Sequence, residues 1–134
     1  MNTFKLKIVT PDGLQFDGLA EELIVRTTTG DLGIMAGHIN CVAHLGMGRA
    51  MVITEGQKRY ADCIRGMVSV VGGEVTLVPP TIEWADKIDV ERAEASYQRA
   101  QKILKDKAST ETDVKLAEAR LKRALVRKSV ASNK

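Results

Sequence analysis

An abrupt change of composition near residue 80 is the feature that most limits what this chain can fold into. All 11 glycines and all 3 prolines lie in the first 80 of its 134 residues. The rest is rich in alanine, glutamate, lysine and arginine, which favour helices, whereas glycine and proline interrupt them. The sequence therefore predicts an α+β chain, with a β domain at residues 1–84 and a helical domain at residues 85–134.

Short alternating segments separated by turns predict that the first domain is an antiparallel β-sandwich or barrel. Phe4, Leu6 and Ile8 alternate with lysines, which is the pattern of a strand with one buried face. Turns are predicted at Thr10–Gly13 and at Gly72–Gly73, because glycine readily adopts the positive φ that a tight hairpin loop requires. Six more strands are predicted: Leu23–Arg26, Val42–Leu45, Arg49–Ile53, Arg59–Ile64, Met67–Val71 and Val75–Val78.

Between two of these strands, Thr28–Asn40 has the composition of a long glycine-rich connection that carries Asp31 and His38. Two interpretations of its apolar residues remain open. Long ordered loops on a rigid sandwich often form contact surfaces for a partner. Alternatively, the segment is a wide turn whose apolar residues fold back into the core.

Beyond Pro79 and Pro80, two helices of roughly 15–18 residues are predicted to form an antiparallel hairpin. The prolines are expected to end the sheets, because proline cannot donate a hydrogen bond to a neighbouring strand. The helices have apolar stripes at Ala93, Tyr97, Ala100 and Leu104 and at Val114, Ala117, Leu121 and Ala124. The candidate caps are Asp86 or Asp89 for the first helix and Ser109, Thr110 or Thr112 for the second. Because alanines bury little area, the hairpin is expected to be weakly held and mobile.

Most of the excess positive charge lies on the helical domain. Residues 1–80 carry 7 Lys and Arg against 8 Asp and Glu, whereas residues 81–134 carry 13 against 9. This asymmetry predicts an acidic or phosphorylated partner. Two groups of side chains share a helix face: Asp89, Arg92 and Arg99 on the first helix and Arg120, Arg123 and Arg127 on the second. They fit either a solvated face with i,i+4 ion pairs or a clamp for polyphosphate.

No motif for catalysis or metal binding is found in the sequence. GMGRAM lacks the third glycine of a dinucleotide-binding fingerprint, and His38 and His44 lack the further ligands that a metal site needs. Cys41 and Cys63 fit small, buried, reduced residues. The apolar runs are too short to cross a bilayer, and the helical part has few aromatics for stacking on nucleic acid. We expect neither an enzyme nor a nucleic-acid-binding protein.

Five segments occur in a characteristic order along the chain: IVTPDGLQFDG, TTGDLGIMAGH, RGMVSVVGGEVTLV, IDVERAEASYQRA and LAEARLKRALVR. Together they resemble the epsilon subunits of bacterial F-type ATP synthases. The chain departs from that family at Ala36, where proline is common, and at Met67, where phenylalanine is common.

The resemblance implies a non-catalytic rotor subunit that couples the catalytic sector of a proton- or sodium-translocating ATP synthase to its c-ring. The sandwich would dock on the gamma subunit and the c-ring, with Asp31 and His38 in the loop that faces the c-ring. The hairpin would fold onto the sandwich or extend along gamma, where its basic residues meet the catalytic beta subunit and restrain ATP hydrolysis. The protein would lie at the cytoplasmic face of the cell membrane, attached only through the complex.

The resemblance also implies a regulatory ATP site, with no cofactor required. In some bacterial members an I-D-x-x-R-A segment helps to bind ATP, and this sequence matches it from Ile88 to Ala93. The ligands carried over are Glu83, Asp89, Arg92, Arg99, Arg123 and Arg127. Asp89 is expected to orient an arginine or cap the first helix. Because such a pocket exists only in the closed hairpin, ATP would favour closure.

Overall fold

The computed structural model describes residues 2–132 and contains two five-stranded sheets followed by two helices. The strands of the first sheet are β1 (Phe4–Thr10), β2 (Gly13–Ala20), β5 (Cys41–His44), β8 (Met67–Val71) and β9 (Glu74–Val78). Those of the second are β3 (Glu22–Thr27), β4 (Gly30–Met35), β6 (Met47–Thr54), β7 (Gln57–Ile64) and β10 (Ile82–Trp84). The spatial orders are β2-β1-β9-β8-β5 and β10-β7-β6-β3-β4. The predicted α+β class, a sandwich followed by a helical hairpin, is confirmed.

The core of the sandwich lies between the sheets and consists of large aliphatic side chains. Leu6, Leu23, Ile34 and Leu77 are fully buried, because alternate residues of each strand point inward. Each such side chain contributes about 1.5–3 kcal/mol by leaving water. All neighbouring strands are antiparallel except β1 and β9, which pair in parallel. The sandwich therefore has a core of its own.

The prediction of one long connection at Thr28–Asn40 is wrong, because Gly30–Met35 within it forms β4. Leu32 lies opposite Val25 and Ile34 lies opposite Leu23, so these apolar residues turn toward the core. A short turn joins β3 to β4, and Gly30 after it has φ 131°, a conformation that favours glycine. Leu32 and Ile34 therefore agree with the second interpretation, in which the apolar residues fold back into the core.

Two other strands were not predicted, and each escapes the usual sequence signal. β2 is an edge strand whose residues are mostly exposed, so it lacks a clear apolar alternation. β10 follows Pro79 and Pro80, which contradicts the prediction that these prolines end the sheets. An edge strand hydrogen-bonds on one side only, so the chain resumes pairing with β7 once the prolines are passed.

The cysteines differ in their surroundings. Cys63 is buried in the sandwich core, as predicted, and burial followed by the nearby Asp62 charge raises its pKa to about 12. The thiol therefore stays protonated at neutral pH. Cys41 is only half-buried at the edge strand β5, so the prediction that both cysteines are buried is wrong. Its position on a sheet edge leaves one side open to solvent.

A single 3-10 turn, Ala85–Lys87, leads into α1 (Val90–Lys105), and α2 (Glu111–Ala131) runs back beside it. Of the candidate caps, Asp89 accepts a hydrogen bond of 3.0 Å from the Arg92 N–H at the start of α1. Thr110 caps α2 and forms a capping box with Asp113. At 21 residues, α2 is longer than predicted. The seam between the helices buries Ala93, Ala100, Ala117 and Ala124.

The hairpin rests on the outer face of the second sheet through the end of α2. Val130 and Ala131 pack against Ala85 and Ile88, with Tyr60 at the margin of this small cluster. The α2 helix contacts β6 and β7, whereas α1 packs mainly on α2. The turn between the helices therefore lies at the end of the hairpin remote from this cluster. Within residues 2–132, neither helix is long and apolar enough to span a membrane.

Candidate functional site

A cavity of about 360 Å³ on the hairpin gathers four arginines from both helices. Arg99 comes from α1, and Arg120, Arg123 and Arg127 come from α2, where spacings of three and four residues place them on one face. Ser96, Ala100 and Ile103 complete the lining. Within residues 2–132, no ion pair involves Arg99, Arg120 or Arg123. These three arginines are exposed and do not form the i,i+4 ion pairs that the solvated-face interpretation expected, and the clamp for polyphosphate stays a prediction.

Arg127, in contrast, is tied to two carboxylates of the sandwich. Its Nε lies 2.9 Å from Glu83 Oε1 and 3.4 Å from Asp62 Oδ2. Neither Asp62 Oδ2 nor Arg127 Nε has a partner in hydrogen-bond geometry among the described residues, so charge alone joins them. This three-residue ion cluster links the hairpin to β7 and β10. It is the polar counterpart of the small apolar cluster around Val130.

Asp62 is buried, with 3% of its surface exposed, and is the charged residue that the sequence reasoning missed. Its Oδ1 accepts a hydrogen bond of 2.8 Å from the Glu83 N–H. Burial, and then the negative charge of Glu83, raise the pKa of Asp62 to about 6, against the opposing effects of that N–H and Arg127. Arg49 lies opposite Asp62 on β6. A sequence signal existed: an aspartate inside a strand whose neighbours are apolar.

The predicted ATP ligands are partly brought together. Arg99, Arg123 and Arg127 line the cavity, and Glu83 reaches it through Arg127. Arg92 lies seven residues before Arg99 on the same face of α1, about 10 Å nearer the start of the helix. Asp89 caps the N-terminus of α1, which is one of the two roles expected for it. Arg120, which the predicted ligand set omitted, lines the cavity with the others.

A second contact between the helices closes the hairpin near the sandwich. Lys128 Nζ lies 2.5 Å from Glu94 Oε2 and 4.5 Å from the centre of the Tyr97 ring. The side chain of Gln98 donates a hydrogen bond to Glu94, and this bond, followed by that from Lys128, lowers the pKa of Glu94. Lys128 therefore bridges the two helices, while Arg127 beside it reaches the sandwich.

The two residues predicted to contact a partner lie near opposite ends of β4. Asp31, near its start, forms an ion pair of 2.9 Å with Arg26 on the outer face of the second sheet. His38 follows the other end, where its Nδ1 lies 2.8 Å from the Ile39 carbonyl oxygen. Asp31 and Met35 are four residues apart on one strand, which corresponds to about 13 Å. A partner that contacts both must therefore span the strand.

Three exposed apolar side chains, Met35, Ile39 and Val42, lie within four residues of His38 in the chain, and Val71 ends β8 beside the turn that Asn40 contacts; we call these four the end patch. Their exposed fractions range from 60% for Met35 to 77% for Ile39. Asn40 Oδ1 accepts a hydrogen bond of 2.9 Å from the Gly72 N–H, which ties the β4–β5 connection to the β8–β9 turn. A cluster of exposed large apolar residues at one end of a small domain is typical of a protein contact surface.

The described residues contain no group of three or more His, Cys, Asp or Glu side chains placed to hold a metal ion. His38 lies near Cys41, with 3.9 Å between Nδ1 and Sγ, but no third ligand joins them in this part of the chain. The candidate site of the molecule is therefore the arginine cavity with its neighbouring ion cluster. Its chemistry suits the binding of an anion.

Two family models match the chain. The ATP synthase delta/epsilon chain beta-sandwich domain matches residues 3–85, and the long alpha-helix domain of the same chain matches residues 86–132. The chain therefore belongs to the delta/epsilon chain family of ATP synthases. Relatives at full length are epsilon chains, which confirms the identification from the motifs. The epsilon chain of Ruminococcus albus is 44% identical over 100% of this chain and all of its own length. That of Bacillus velezensis is 42% identical over 99% of this chain and all of its own length.

Solved structures with the same fold come from two mitochondrial ATP synthases. A chain of the Euglena gracilis enzyme, in a structure of OSCP, F1 and the c-ring, matches with a TM-score of 0.84 at 21% identity, covering 98% of this chain and 82% of that one. A chain of the Tetrahymena thermophila central stalk and c-ring matches with a TM-score of 0.61 at 14% identity, over 95% of each. At these identities the likeness concerns the fold alone.

Proposed function

We propose that this chain is a non-catalytic central-stalk subunit of an F-type ATP synthase that couples the catalytic sector to the c-ring and restrains ATP hydrolysis through its hairpin. The observation that carries this proposal is the contrast between the two domains. The sandwich has a complete core, whereas the hairpin meets it through a small cluster around Val130 and one ion cluster around Arg127. Such an interface can open without unfolding the sandwich.

The sandwich attaches the subunit to its partners. The end patch, with His38 beside it, fits the c-ring, and Asp31 would meet the same partner farther along β4. The gamma subunit docks on the outer face of the first sheet, where Met67 and Val78 are exposed. Through these contacts the protein lies peripherally at the cytoplasmic face of the cell membrane. Transport of H⁺ or Na⁺ belongs to the c-ring.

The hairpin supplies the restraint on hydrolysis. Arg99, Arg120 and Arg123 present three positive charges without acidic neighbours, so an extended hairpin is attracted to an acidic segment of the catalytic beta subunit. Folding back requires the ion cluster of Arg127 with Asp62 and Glu83 to form again. The equilibrium between the two positions then sets how strongly hydrolysis is restrained.

ATP acts in this proposal as a regulatory ligand, and no cofactor is required. Arg99, Arg123 and Arg127 surround the phosphates, with Arg92 and Glu83 toward the sandwich end. The cavity draws on both helices and exists only while they lie side by side. Because ATP binds the closed hairpin alone, it shifts the population toward closure.

Removal of the hairpin tests the regulatory proposal. An ATP synthase assembled with residues 1–87 should form normally and hydrolyse ATP faster than one with the full chain. Two triple variants that each remove three positive charges refine the test. R99Q/R120Q/R123Q, in the cavity, should also raise the rate of ATP hydrolysis. K102Q/K105Q/K122Q, outside the cavity, should leave that rate unchanged. Assembly with unchanged hydrolysis in the truncated complex contradicts the regulatory role, and failure of the truncated chain to assemble contradicts a self-sufficient sandwich.

Titration of the isolated full-length chain tests the ATP site. Millimolar ATP should slow amide hydrogen exchange in α1 and α2 and leave the sandwich strands unchanged, because ligand binding stabilises only the closed hairpin. R92Q and R123Q should weaken this protection, whereas K115Q, at an exposed lysine that does not line the cavity, should not. No change in exchange at millimolar ATP contradicts nucleotide sensing but leaves the stalk role intact.

A further inference from the structure

Asp62 is a buried carboxylate at the contact between the hairpin and the sandwich. It lies on β7, where its neighbour Cys63 points into the sandwich core, so Asp62 points toward the outer face of the second sheet. Tyr60, two residues earlier on the same face, borders the apolar cluster around Val130. The α2 helix meets this face through Arg127, and Asp62 keeps only 3% of its surface exposed. Docking of the hairpin therefore removes this carboxylate from water.

Few charged groups are available to balance this buried carboxylate. The elements packed against it carry these charged or titratable groups on the side toward it: Arg127 on α2, Glu83 on β10, Arg49 on β6 and Tyr60 on β7. Asp86 and Lys87 of the 3-10 turn are exposed, so water screens their opposite charges. The Arg49 guanidinium lies over the Tyr60 ring, 5.1 Å from its centre, and within residues 2–132 no ion pair joins Arg49 to a carboxylate. The arginine of α2 is therefore the cation that meets the carboxylate.

Two carboxylates share this one cation. The Nε of Arg127 lies 2.9 Å from Glu83 Oε1 but 3.4 Å from Asp62 Oδ2, and the longer contact lacks hydrogen-bond geometry. A proton on Asp62 leaves Glu83 and Arg127 as a balanced pair, whereas an ionised Asp62 adds one uncompensated negative charge. Because burying an uncompensated charge costs free energy, docking favours the protonated carboxyl.

Opening of the hairpin changes two opposing influences on Asp62. It returns the carboxyl to water, which favours ionisation, and it removes Arg127, which disfavours ionisation. Burial is the larger influence in the folded chain, and together with the charge of Glu83 it raises the pKa of Asp62 from 3.8 to about 6. The open hairpin therefore holds this proton less tightly than the closed hairpin.

We propose that Asp62 makes the position of the hairpin respond to pH, because the closed hairpin binds one proton on this carboxyl that the open hairpin releases to water. Acidification should strengthen closure about tenfold from pH 7 to pH 5 and about twofold from pH 7 to pH 6. The gain is fully present below pH 3.8 and is lost as the pH rises through about 6. Its effect on activity rests on the proposed function: if the open hairpin restrains hydrolysis, a fall in pH around the subunit releases hydrolysis.

Amide hydrogen exchange of α2 in the full-length chain tests the pH response of closure. Protection factors, which divide out the pH dependence of the intrinsic exchange rate, should rise about tenfold in wild-type α2 from pH 7 to pH 5. D62N and D62A should abolish this rise, and D17N, which removes an exposed carboxylate of β2, should retain it. A carboxyl ¹³C titration of the wild type, which needs no variant, should place the midpoint of Asp62 near pH 6.

ATP hydrolysis by the assembled complex tests the consequence for activity. The ratio of the rate of the D62N complex to that of the wild-type complex cancels the pH dependence of the catalytic sites. Because asparagine resembles the protonated carboxyl, D62N keeps the hairpin closed at every pH. The ratio should therefore exceed one at pH 8 and fall toward one as the pH is lowered to 6.

The outcomes separate this inference from the function on which it rests. Protection of wild-type α2 that is independent of pH, that falls on acidification or that rises equally in D62N overturns the inference. A carboxyl midpoint of Asp62 near 4 does the same. The expected protection with a hydrolysis ratio of one at every pH leaves the pH response of closure standing and contradicts the restraint of hydrolysis by the hairpin. The truncated complex then judges that restraint separately.

Discussion

The sandwich and the hairpin differ in the size of the side chains that hold each together. The sandwich core contains fully buried leucine, isoleucine and valine, whereas the seam of the hairpin buries four alanines. Since burial is worth about 25 cal/mol for each Å² of apolar surface, the alanine seam contributes far less than the sandwich core. The two domains are therefore expected to differ in stability, with the sandwich held by its own core and the hairpin by its contact with the sandwich.

The largest loss of stability is expected from a substitution in the sandwich core. Leu77→Ala removes a fully buried side chain and should lower the free energy of unfolding by about 3 kcal/mol. Leu116→Ala, at a half-exposed position on α2, should change it by less than about 0.5 kcal/mol. Urea unfolding followed by circular dichroism measures both. Equal losses for the two variants would show that the domains do not differ in this way.

A smaller effect is expected from the ion cluster that joins the domains. Arg127→Gln leaves Asp62 and Glu83 close together without a cation and should weaken docking of the hairpin by about 2 kcal/mol. Amide exchange should accelerate in α2 and remain unchanged in β1. Adding Asp62→Asn to this variant should restore part of the loss. Uniform acceleration through both domains would mean that the hairpin and the sandwich open as one unit.

The pH dependence of the free energy of unfolding tests whether the pKa of Asp62 is raised in the folded chain. Its pKa is about 6 in the folded chain and 3.8 as the ordinary value, so the folded state binds the proton more tightly than the unfolded state. Stability of the wild type relative to Asp62→Asn should therefore increase by about 1 kcal/mol as the pH falls from 7 to 5. Urea unfolding at both pH values gives the difference. A difference that is the same at pH 5 and pH 7 contradicts the raised pKa.

The smallest of these effects is expected from the first helix cap. Asp89→Ala should destabilise the start of α1 by about 1 kcal/mol, because the Arg92 N–H loses its acceptor. Asp89→Asn keeps a capping side chain and should remain close to the wild type in helix content. If Asp89→Asn lowers ATP binding without any change in α1, the carboxylate acts on the ligand and not only as a cap.

Features set by local chemistry could be predicted from the sequence. The Gly72–Gly73 turn, the alanine stripes and the two helix caps depend on neighbouring residues, and the structure has them where local rules place them. β4 was not predicted, although its signal is also local. The glycine-rich composition of Thr28–Asn40 favoured a loop over the strand that the alternation of Leu32 and Ile34 indicates.

Contacts between distant segments could not be predicted in the same way. The pairing of Asp62 with Arg127 joins residues far apart in sequence, and it depends on how α2 lies across β7. The placement of Arg120 in the cavity depends on the relative rotation of the two helices, which an alanine seam leaves unspecified. Asp62 is absent from the residues that the family resemblance implies, and Arg120 was indicated only by its spacing on the arginine face of α2.

Opening of the hairpin is measured most directly as a distance between the two domains in the assembled ATP synthase. Spin labels on the half-buried Cys41 of β5 and on K107C in the turn between the helices report whether the hairpin lies on the sandwich. If the hairpin opens in the complex, one distance is expected in the isolated chain, and a second population in the complex without ATP should decline when ATP is added. A single, unchanged distance in the isolated chain and in the complex, with and without ATP, would contradict it.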